Sequence, residues 1–211
     1  MHAGNPDSRR AFQIRTDQTC VAPIRVGSEL RTTITMMSPV QLEHALAECL
    51  RELVRFVDAQ SHSGAGDEQA PALAYCLTPK QCDDMDRVCD ESGWERLNCY
   101  AIMIKPSDIR HILSSRSKKD NLDCTQIAEI VAKAYSPRSL VRRNPPTVDP
   151  TTERRGDQQS VMLNTQQKFT LNGTAYYATA ILEIRVSGAR RYLAPVTCYH
   201  ATEAKKRKIL R

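Results

Sequence analysis

Apolar residues recur at helical spacing along the first two thirds of the chain, which predicts a series of helices. The clearest stripe follows Ser38-Pro39-Val40-Gln41 and consists of Leu42, Leu46, Leu50, Leu53 and Val57. Serine is a good N-cap, proline suits the first helical position, and a glutamine three residues after the cap can hydrogen-bond back to it. The pattern predicts a helix over about residues 39–59.

Three more helices are predicted by similar start signals. Thr78-Pro79-Lys80-Gln81 repeats the capping pattern, and Gly93 is a typical residue just past a helix end. Pro106-Ser107-Asp108 and Asp123-Cys124-Thr125-Gln126 begin the other two. Short apolar runs at Leu73–Leu77 and Tyr100–Ile104 predict strands between these helices.

The last third of the chain alternates as strands do. A polar, proline-rich stretch over residues 142–160 predicts a long loop before it. Turn signals at Asn172-Gly173 and Ser187-Gly188 separate the apolar runs that follow. The predicted fold class is α+β, with N-terminal helices packed on a C-terminal antiparallel β-meander of about four strands, Val161–Leu163, Lys168–Leu171, Thr174–Val186 and Arg191–Tyr199.

The patterning divides the chain into three parts. Residues 1–37 are weakly patterned and predict a partly flexible N-terminal arm, residues 38–97 a helical region, and residues 98–211 an α+β domain with a basic tail. No apolar run approaches the roughly 18 residues of a membrane span, and the polar N-terminus lacks a secretory core. We therefore expect a cytoplasmic protein without a membrane partner.

Charge is unevenly distributed. Residues 1–100 contain 10 Lys or Arg against 15 Asp or Glu, whereas residues 101–211 contain 20 against 9. The basic half favours a polyanion partner such as RNA, although a merely well-solvated basic surface would have the same composition. The acidic residues 39–92 are, by the same argument, a candidate surface for a host protein.

The eight cysteines, and the absence of standard catalytic motifs, limit the kinds of metal or cofactor site that the sequence predicts. Most of the cysteines fall on apolar stripes without CxxC spacing, which indicates buried thiols in a reducing compartment. A zinc site built from Cys82, Cys89 and a distant histidine is the alternative. Phosphate-binding glycine loops, HExxH and GxSxG motifs are absent from the sequence, so no cofactor is predicted.

Acid–base residues occur at the ends of two predicted elements. His111 lies in the helix that follows the Tyr100–Ile104 strand, and the last strand ends in Thr197, Tyr199 and His200. An imidazole with an ordinary pKa near 6.5 suits proton transfer at neutral pH. A surface histidine and ordinary strand residues are the alternative interpretation of this pattern.

Over about residues 98–202 the order of these elements resembles the phage-associated barnase/EndoU/colicin/RelE-like nuclease domains. His111-Ile112 matches the start of the family pattern, Lys168 its basic residue on the first sheet strand, and Thr197-Cys198-Tyr199 its Ser/Thr-x-Tyr on the last strand. The family usually has a second histidine five residues after the first, where this chain has Arg116.

The resemblance implies a metal-independent endoribonuclease from a phage or mobile element, acting in the cytoplasm of a bacterial host. It implies His111 as the acid or base, Arg116 and Lys168 as phosphate stabilisers, and Thr197 as a substrate-orienting hydroxyl. Tyr199 or His200 would supply the second proton transfer.

The missing second histidine leaves two other hypotheses open. The protein would be a degenerate relative of these nucleases, or a non-catalytic inhibitor or adaptor that binds a bacterial host or defence protein, possibly together with RNA.

Overall fold

The computed structural model describes residues 38–63, 71–144 and 159–209. These residues form five helices and seven strands, and they do not include the predicted arm over residues 1–37 or most of the predicted loop over residues 142–160. The elements, in chain order, are α1 (Pro39–Ser63), β1 (Leu73–Cys76), α2 (Pro79–Ser92), β2 (Ala101–Ile104), α3 (Pro106–Asp120), α4 (Cys124–Ala134), β3 (Leu140–Arg143), β4 (Ser160–Asn164), β5 (Phe169–Leu171), β6 (Thr174–Ser187), β7 (Arg190–Ala201) and α5 (Glu203–Ile209).

Capping boxes begin three of the helices at the residues that the sequence predicts. At α2 the Thr78 hydroxyl accepts from the Gln81 amide N–H at 3.3 Å, and the Gln81 side-chain oxygen accepts from the Thr78 N–H at 3.0 Å. Ser38 and Asp123 make the same reciprocal pair with a glutamine three residues on. Gly93 ends α2 with φ 66°, a left-handed conformation that glycine adopts without steric cost.

The sheet is organised around β6. This 14-residue strand pairs antiparallel with three others. Its first residues, Thr174–Tyr176, pair with β5. Farther along, Thr179–Glu183 pair with β4 on one side, and Tyr177–Ser187 pair with β7 on the other. At the edge of the sheet β3 pairs with β4. The α+β class is confirmed, and the four predicted C-terminal strands are present as β4 to β7. The described residues contain seven strands rather than about four, because β3 adds a fifth strand to this sheet and β1 and β2 form another. The sheet is not a simple meander, since β6 pairs with β4 as well as with β5 and β7.

A two-stranded antiparallel sheet of β1 and β2 adjoins β7 through a parallel bridge between Cys99 and Tyr192. The pairing joins β1, from the predicted helical region, to β2, from the predicted α+β domain. One hydrophobic core likewise includes residues of α1, α3 and α4 together with the sheet residues Leu163, Ala180, Leu182 and Cys198.

None of the helices in the described part of the chain is both long and apolar enough to cross a membrane.

A buried polar side chain fastens α2 to the turn between α4 and β3. Gln81 is 1% exposed, and its side-chain oxygen accepts from the Tyr75 hydroxyl at 2.8 Å. Its amide nitrogen donates to the carbonyls of Ser136 at 3.2 Å and Ser139 at 2.8 Å. Because every polar atom of this side chain is paired, the buried amide stabilises the fold.

We expect Gln81→Ala to destabilise the protein by about 2–4 kcal/mol, because it leaves buried polar partners unpaired and removes a capping group. Lys80→Ala, one residue earlier on the exposed side of α2, is the matched control and should change stability by less than about 0.5 kcal/mol. Urea denaturation of the two variants measures both values. Equal effects would contradict a structural role for the Gln81 hydrogen bonds.

Candidate functional site

A β-bulge in β7 determines which side chains of the last strand lie on the same face. Thr197 pairs with Ile181 but Pro195 pairs with Leu182, so Val196 is the extra residue. Proline has no N–H to donate to the ladder, which makes a bulge beside Pro195 favourable. Past the bulge, Cys198 and His200 pair with the core residues Ala180 and Ala178 and therefore lie on the helix-covered face. Thr197 and Tyr199 lie on the opposite, outer face.

On the helix-covered face, Arg116 and His200 lie close together. Arg116 continues the buried stripe of α3, is 13% exposed, and donates to Asp120 at 2.8 Å and to the Ser115 hydroxyl at 3.0 Å. The His200 ring packs edge-to-face on Tyr176, with centroids 4.6 Å apart. Among the described residues, neither the Arg116 Nε nor the His200 Nδ1 has a hydrogen-bond partner, although both atoms are buried.

The environment of His200 favours its neutral form. Burial lowers the pKa of His200 below its ordinary value, the charges of Arg116 and Lys205 lower it further, and Asp120 acts in the opposite direction. A neutral imidazole can accept a proton at neutral pH, which a protonated one cannot.

On the outer face, Tyr199 lies at the end of a polar row that crosses the sheet. The Asn164 amide donates to the Thr179 hydroxyl at 2.6 Å, and Thr179 pairs with Tyr199 in the neighbouring strand. The Lys205 ammonium lies 5.0 Å from the centre of the Tyr199 ring. Burial raises the pKa of Tyr199, while a hydrogen bond from Thr179 and the Arg116 charge act the other way, so the phenol keeps its proton at neutral pH.

Lys168 also lies on the outer face, where it binds a carboxylate of α5. Its ammonium nitrogen is 3.3 Å from Glu203 Oε2, and the Tyr177 hydroxyl donates to the same oxygen at 2.6 Å. The hydrogen bonds from Tyr177 and then Lys168 lower the pKa of Glu203 to about 2. Lys206, which is 8% exposed, lies 3.7 Å from the centre of the Tyr177 ring and donates to Gln166 at 3.3 Å.

These side chains define what we call the sheet end, where β7 finishes and β6 begins. It consists of Arg116, Asp120, Asn164, Gln166, Lys168, Tyr176, Tyr177, Thr179, Tyr199, His200, Glu203, Lys205, Lys206 and Arg207. Lys168, Lys205, Lys206 and Arg207 lie with Glu203 on the outer face, which therefore has an excess of positive charge. On the helix-covered face, Arg116 is paired with Asp120 beside His200.

The structure brings only some of the six predicted site residues together. Arg116, Lys168, Tyr199 and His200 belong to the sheet end. Thr197 lies two residues earlier on β7, and its hydroxyl reaches only a neighbouring carbonyl of its own strand. His111 is exposed on α3 and, at about 100° per residue, projects about 140° around the helix axis from Arg116.

Several residues of the sheet end could not be singled out from the sequence. Asp120, Tyr176, Thr179 and Glu203 are single polar or aromatic residues outside any motif. Glu203 is the one carboxylate in a basic tail, and this is the only trace that the sequence offers of its role.

Two cavities lie away from the sheet end in the described part of the molecule. A cavity of about 250 Å³ lies between α1 and α4, beside Glu43, Arg51 and Arg138. Another of about 310 Å³ lies between α1 and α3, beside Asp58, Arg110 and Ser114. Neither cavity is lined by any of the six predicted site residues.

Over residues 38–63, 71–144 and 159–209, no three His, Cys, Asp or Glu side chains are arranged to hold a metal ion. Within the described residues Cys82 and Cys89, the ligands of the alternative zinc site, form no disulfide, and the Cys82 thiol lies 3.7 Å from the Leu77 carbonyl oxygen.

Comparison with protein-family models, curated proteins and solved structures found no match to this chain. The resemblance to barnase/EndoU/colicin/RelE-like nuclease domains therefore stays a prediction that rests on the residues quoted for it.

The lowered pKa of His200 predicts a pH-dependent loss of stability. Because the imidazole binds a proton less readily in the folded than in the unfolded chain, its contribution is complete above about pH 6.5 and is lost as the pH falls through the folded-state value. The melting temperature of the wild type should fall between about pH 7.5 and pH 5, and His200→Gln should reduce that fall. His44→Gln, at an exposed histidine of α1, is the control. An equal pH response in wild type and His200→Gln would contradict the burial of a neutral imidazole.

Proposed function

We propose that this protein binds RNA at the sheet end and cleaves it without a metal ion, with His200 as the proton acceptor. The observation that supports this most directly is a half-buried, neutral imidazole beside the Arg116 guanidinium, at the end of a sheet whose other face has an excess of Lys and Arg. The proposal keeps the predicted class of activity and assigns the central role to His200, since His111 projects away from the sheet end.

RNA cleavage of this kind transfers two protons and exchanges one bond to phosphorus. His200 takes the proton of a ribose 2′-hydroxyl, whose oxygen then bonds to the adjacent phosphorus. The bond from phosphorus to the 5′-oxygen breaks, and a water molecule protonates that oxygen. The products carry a 2′,3′-cyclic phosphate and a 5′-hydroxyl, and His200 gives its proton to the hydroxide that remains.

Of the two candidate proton-transfer groups, His200 lies beside Arg116. The attacking and leaving oxygens lie on opposite sides of phosphorus in an in-line displacement, so the phosphate has to lie between a proton acceptor and a proton donor. His200 and Tyr199 leave β7 on opposite faces, so the strand itself lies between them and the Tyr199 phenol does not reach the leaving oxygen of a phosphate bound beside His200. Arg116 is the cation that stabilises the charge of the phosphorane, as a fixed donor does in an oxyanion hole.

The charge of the sheet end supports binding to a phosphate backbone. Arg116, Lys168, Lys205, Lys206 and Arg207 outnumber Asp120 and Glu203, and they belong to the half of the chain that has an excess of basic residues. Affinity carried by such contacts falls steeply as the salt concentration rises.

A second candidate is a non-catalytic inhibitor or adaptor that binds a bacterial host or defence protein. The exposed position of His111 favours it, because the residue that best matches the nuclease pattern lies outside the sheet end. Asp83, Asp90 and Glu91 give α2 an exposed acidic surface for such a partner. In either case we place the protein in the cytoplasm of a bacterial host, as the product of a phage or mobile element, in keeping with the seven cysteines of the described residues that form no disulfide.

Incubation of total RNA with the protein in EDTA tests the enzyme. We expect His200→Gln to reduce cleavage about 100-fold or more, because it removes the proton acceptor. Tyr199→Phe, on the opposite face of β7, should cleave at close to the wild-type rate. His111→Gln is the matched histidine control and should cleave at close to the wild-type rate. Product ends are identified by their 2′,3′-cyclic phosphate.

The same variants separate the two candidates. Intact RNA that is nevertheless retained on a filter, in a salt-sensitive way, supports a binding protein without catalysis. Cleavage that depends on His111 and not on His200 overturns the assignment of the proton acceptor. If the RNA is neither cleaved nor retained, RNA is excluded as the partner and the adaptor hypothesis remains.

A further inference from the structure

The outer face of the sheet end already holds an anion, which is the carboxylate of Glu203. Its Oε2 atom accepts from the Tyr177 hydroxyl at 2.6 Å and lies 3.3 Å from the Lys168 ammonium. Its Oε1 atom is 3.4 Å from Arg207 Nε. A carboxylate oxygen and a phosphate oxygen use the same donors, so these contacts show how the face binds an oxyanion.

More positive charge is present around Tyr177 than Glu203 neutralises. The Lys168 ammonium lies 5.8 Å from the centre of the Tyr177 ring, and the Lys206 ammonium lies 3.7 Å from it. Burial lowers the pKa of Lys206, and the charge of Lys168 lowers it further, while Glu203 raises it. An additional anion at this position would therefore be attracted to both ammonium groups.

The anion site is open to solvent on its outer side. The side chain of Lys168 is 57% exposed and that of Glu203 is 41% exposed, whereas Tyr177 beneath them is 6% exposed, so a rotation of the Glu203 side chain can vacate the donors. A phosphate that replaces the carboxylate would contact Lys168 and Tyr177 directly, on the face that also contains Tyr199 and opposite His200. The exchange changes one anion for another and leaves the helix α5 in place.

We propose that Lys168, Tyr177 and Arg207 form a phosphate subsite for RNA, which Glu203 occupies in the free protein and must leave when RNA binds. This inference rests on the proposed RNA binding and adds both a subsite and an internal competitor to it. Glu203 then sets the affinity, because each bound phosphate has to displace a carboxylate that is already hydrogen-bonded.

Charge-removing variants distinguish a local competitor from a general charge effect. Glu203→Gln should bind a short single-stranded RNA about two- to fivefold more tightly than the wild type in fluorescence anisotropy, because exposed ion pairs are individually weak. Glu183→Gln removes the same charge from a residue on β6 that pairs with Arg185 instead, and it should gain less. Lys168→Ala in the Glu203→Gln background should abolish the gain, since it removes the cation that would receive the phosphate.

A second measurement uses inorganic phosphate alone, so that it does not depend on RNA. Each variant is melted with and without phosphate and compared with its own phosphate-free melting temperature, which also shows that it is folded. We expect phosphate to stabilise Glu203→Gln more than it stabilises the wild type or Glu183→Gln.

The outcomes separate this inference from the proposed function. A phosphate response of Glu203→Gln no larger than that of Glu183→Gln overturns the subsite, even if the wild type binds RNA. A larger phosphate response with no RNA binding by any variant supports the subsite and refutes RNA as the partner. Tighter RNA binding by Glu203→Gln that survives Lys168→Ala overturns the assignment of the donors.

Discussion

The β-bulge at Val196 is the constraint on which the arrangement of the sheet end depends. Without it, strict alternation from the buried Leu193 would turn Thr197 and Tyr199 toward the helices and His200 toward the outer face. The extra residue reverses that order, so that His200 faces Arg116 while Tyr199 faces Thr179. Pro195 makes the bulge favourable, because it cannot donate a ladder hydrogen bond. A single residue therefore decides which chemical groups can act together.

Burial and charge then give the groups on the two faces different properties. On the helix-covered face, desolvation and the Arg116 charge disfavour a second positive charge, which keeps His200 neutral. On the outer face, the same kind of desolvation keeps the Tyr199 phenol protonated. Removing water thus leaves His200 unprotonated on one face of the strand and Tyr199 protonated on the other. The nearby lysines and arginines supply the attraction for an anionic partner.

Much of the fold could be predicted because its signals are local. Capping residues such as Thr78 and Asp123 act on N–H groups three residues away, and the stripe along α1 follows from helical geometry alone. The strand β3 carries no such signal, since four residues with two arginines do not establish a period. Two of the three partners of β6, the strands β5 and β7, follow from the turn signals at Asn172-Gly173 and Ser187-Gly188. The pairing of β6 with β4 was beyond prediction, because it depends on register between segments that are not joined by a short turn.

The candidate site, like the fold, has a part that could be predicted from the sequence and a part that could not. The sequence by itself determined that acid–base residues end the last strand, that the C-terminal half is basic, and that Lys168 and Arg116 are available cations, because these are properties of residue type and order. Only the tertiary structure decided that His200 rather than His111 lies beside Arg116, and that Glu203 binds Lys168. Both outcomes depend on the angular position of a side chain around α3, on one bulge in β7 and on the packing of α5, and each of these is set by contacts between elements that are far apart in the chain.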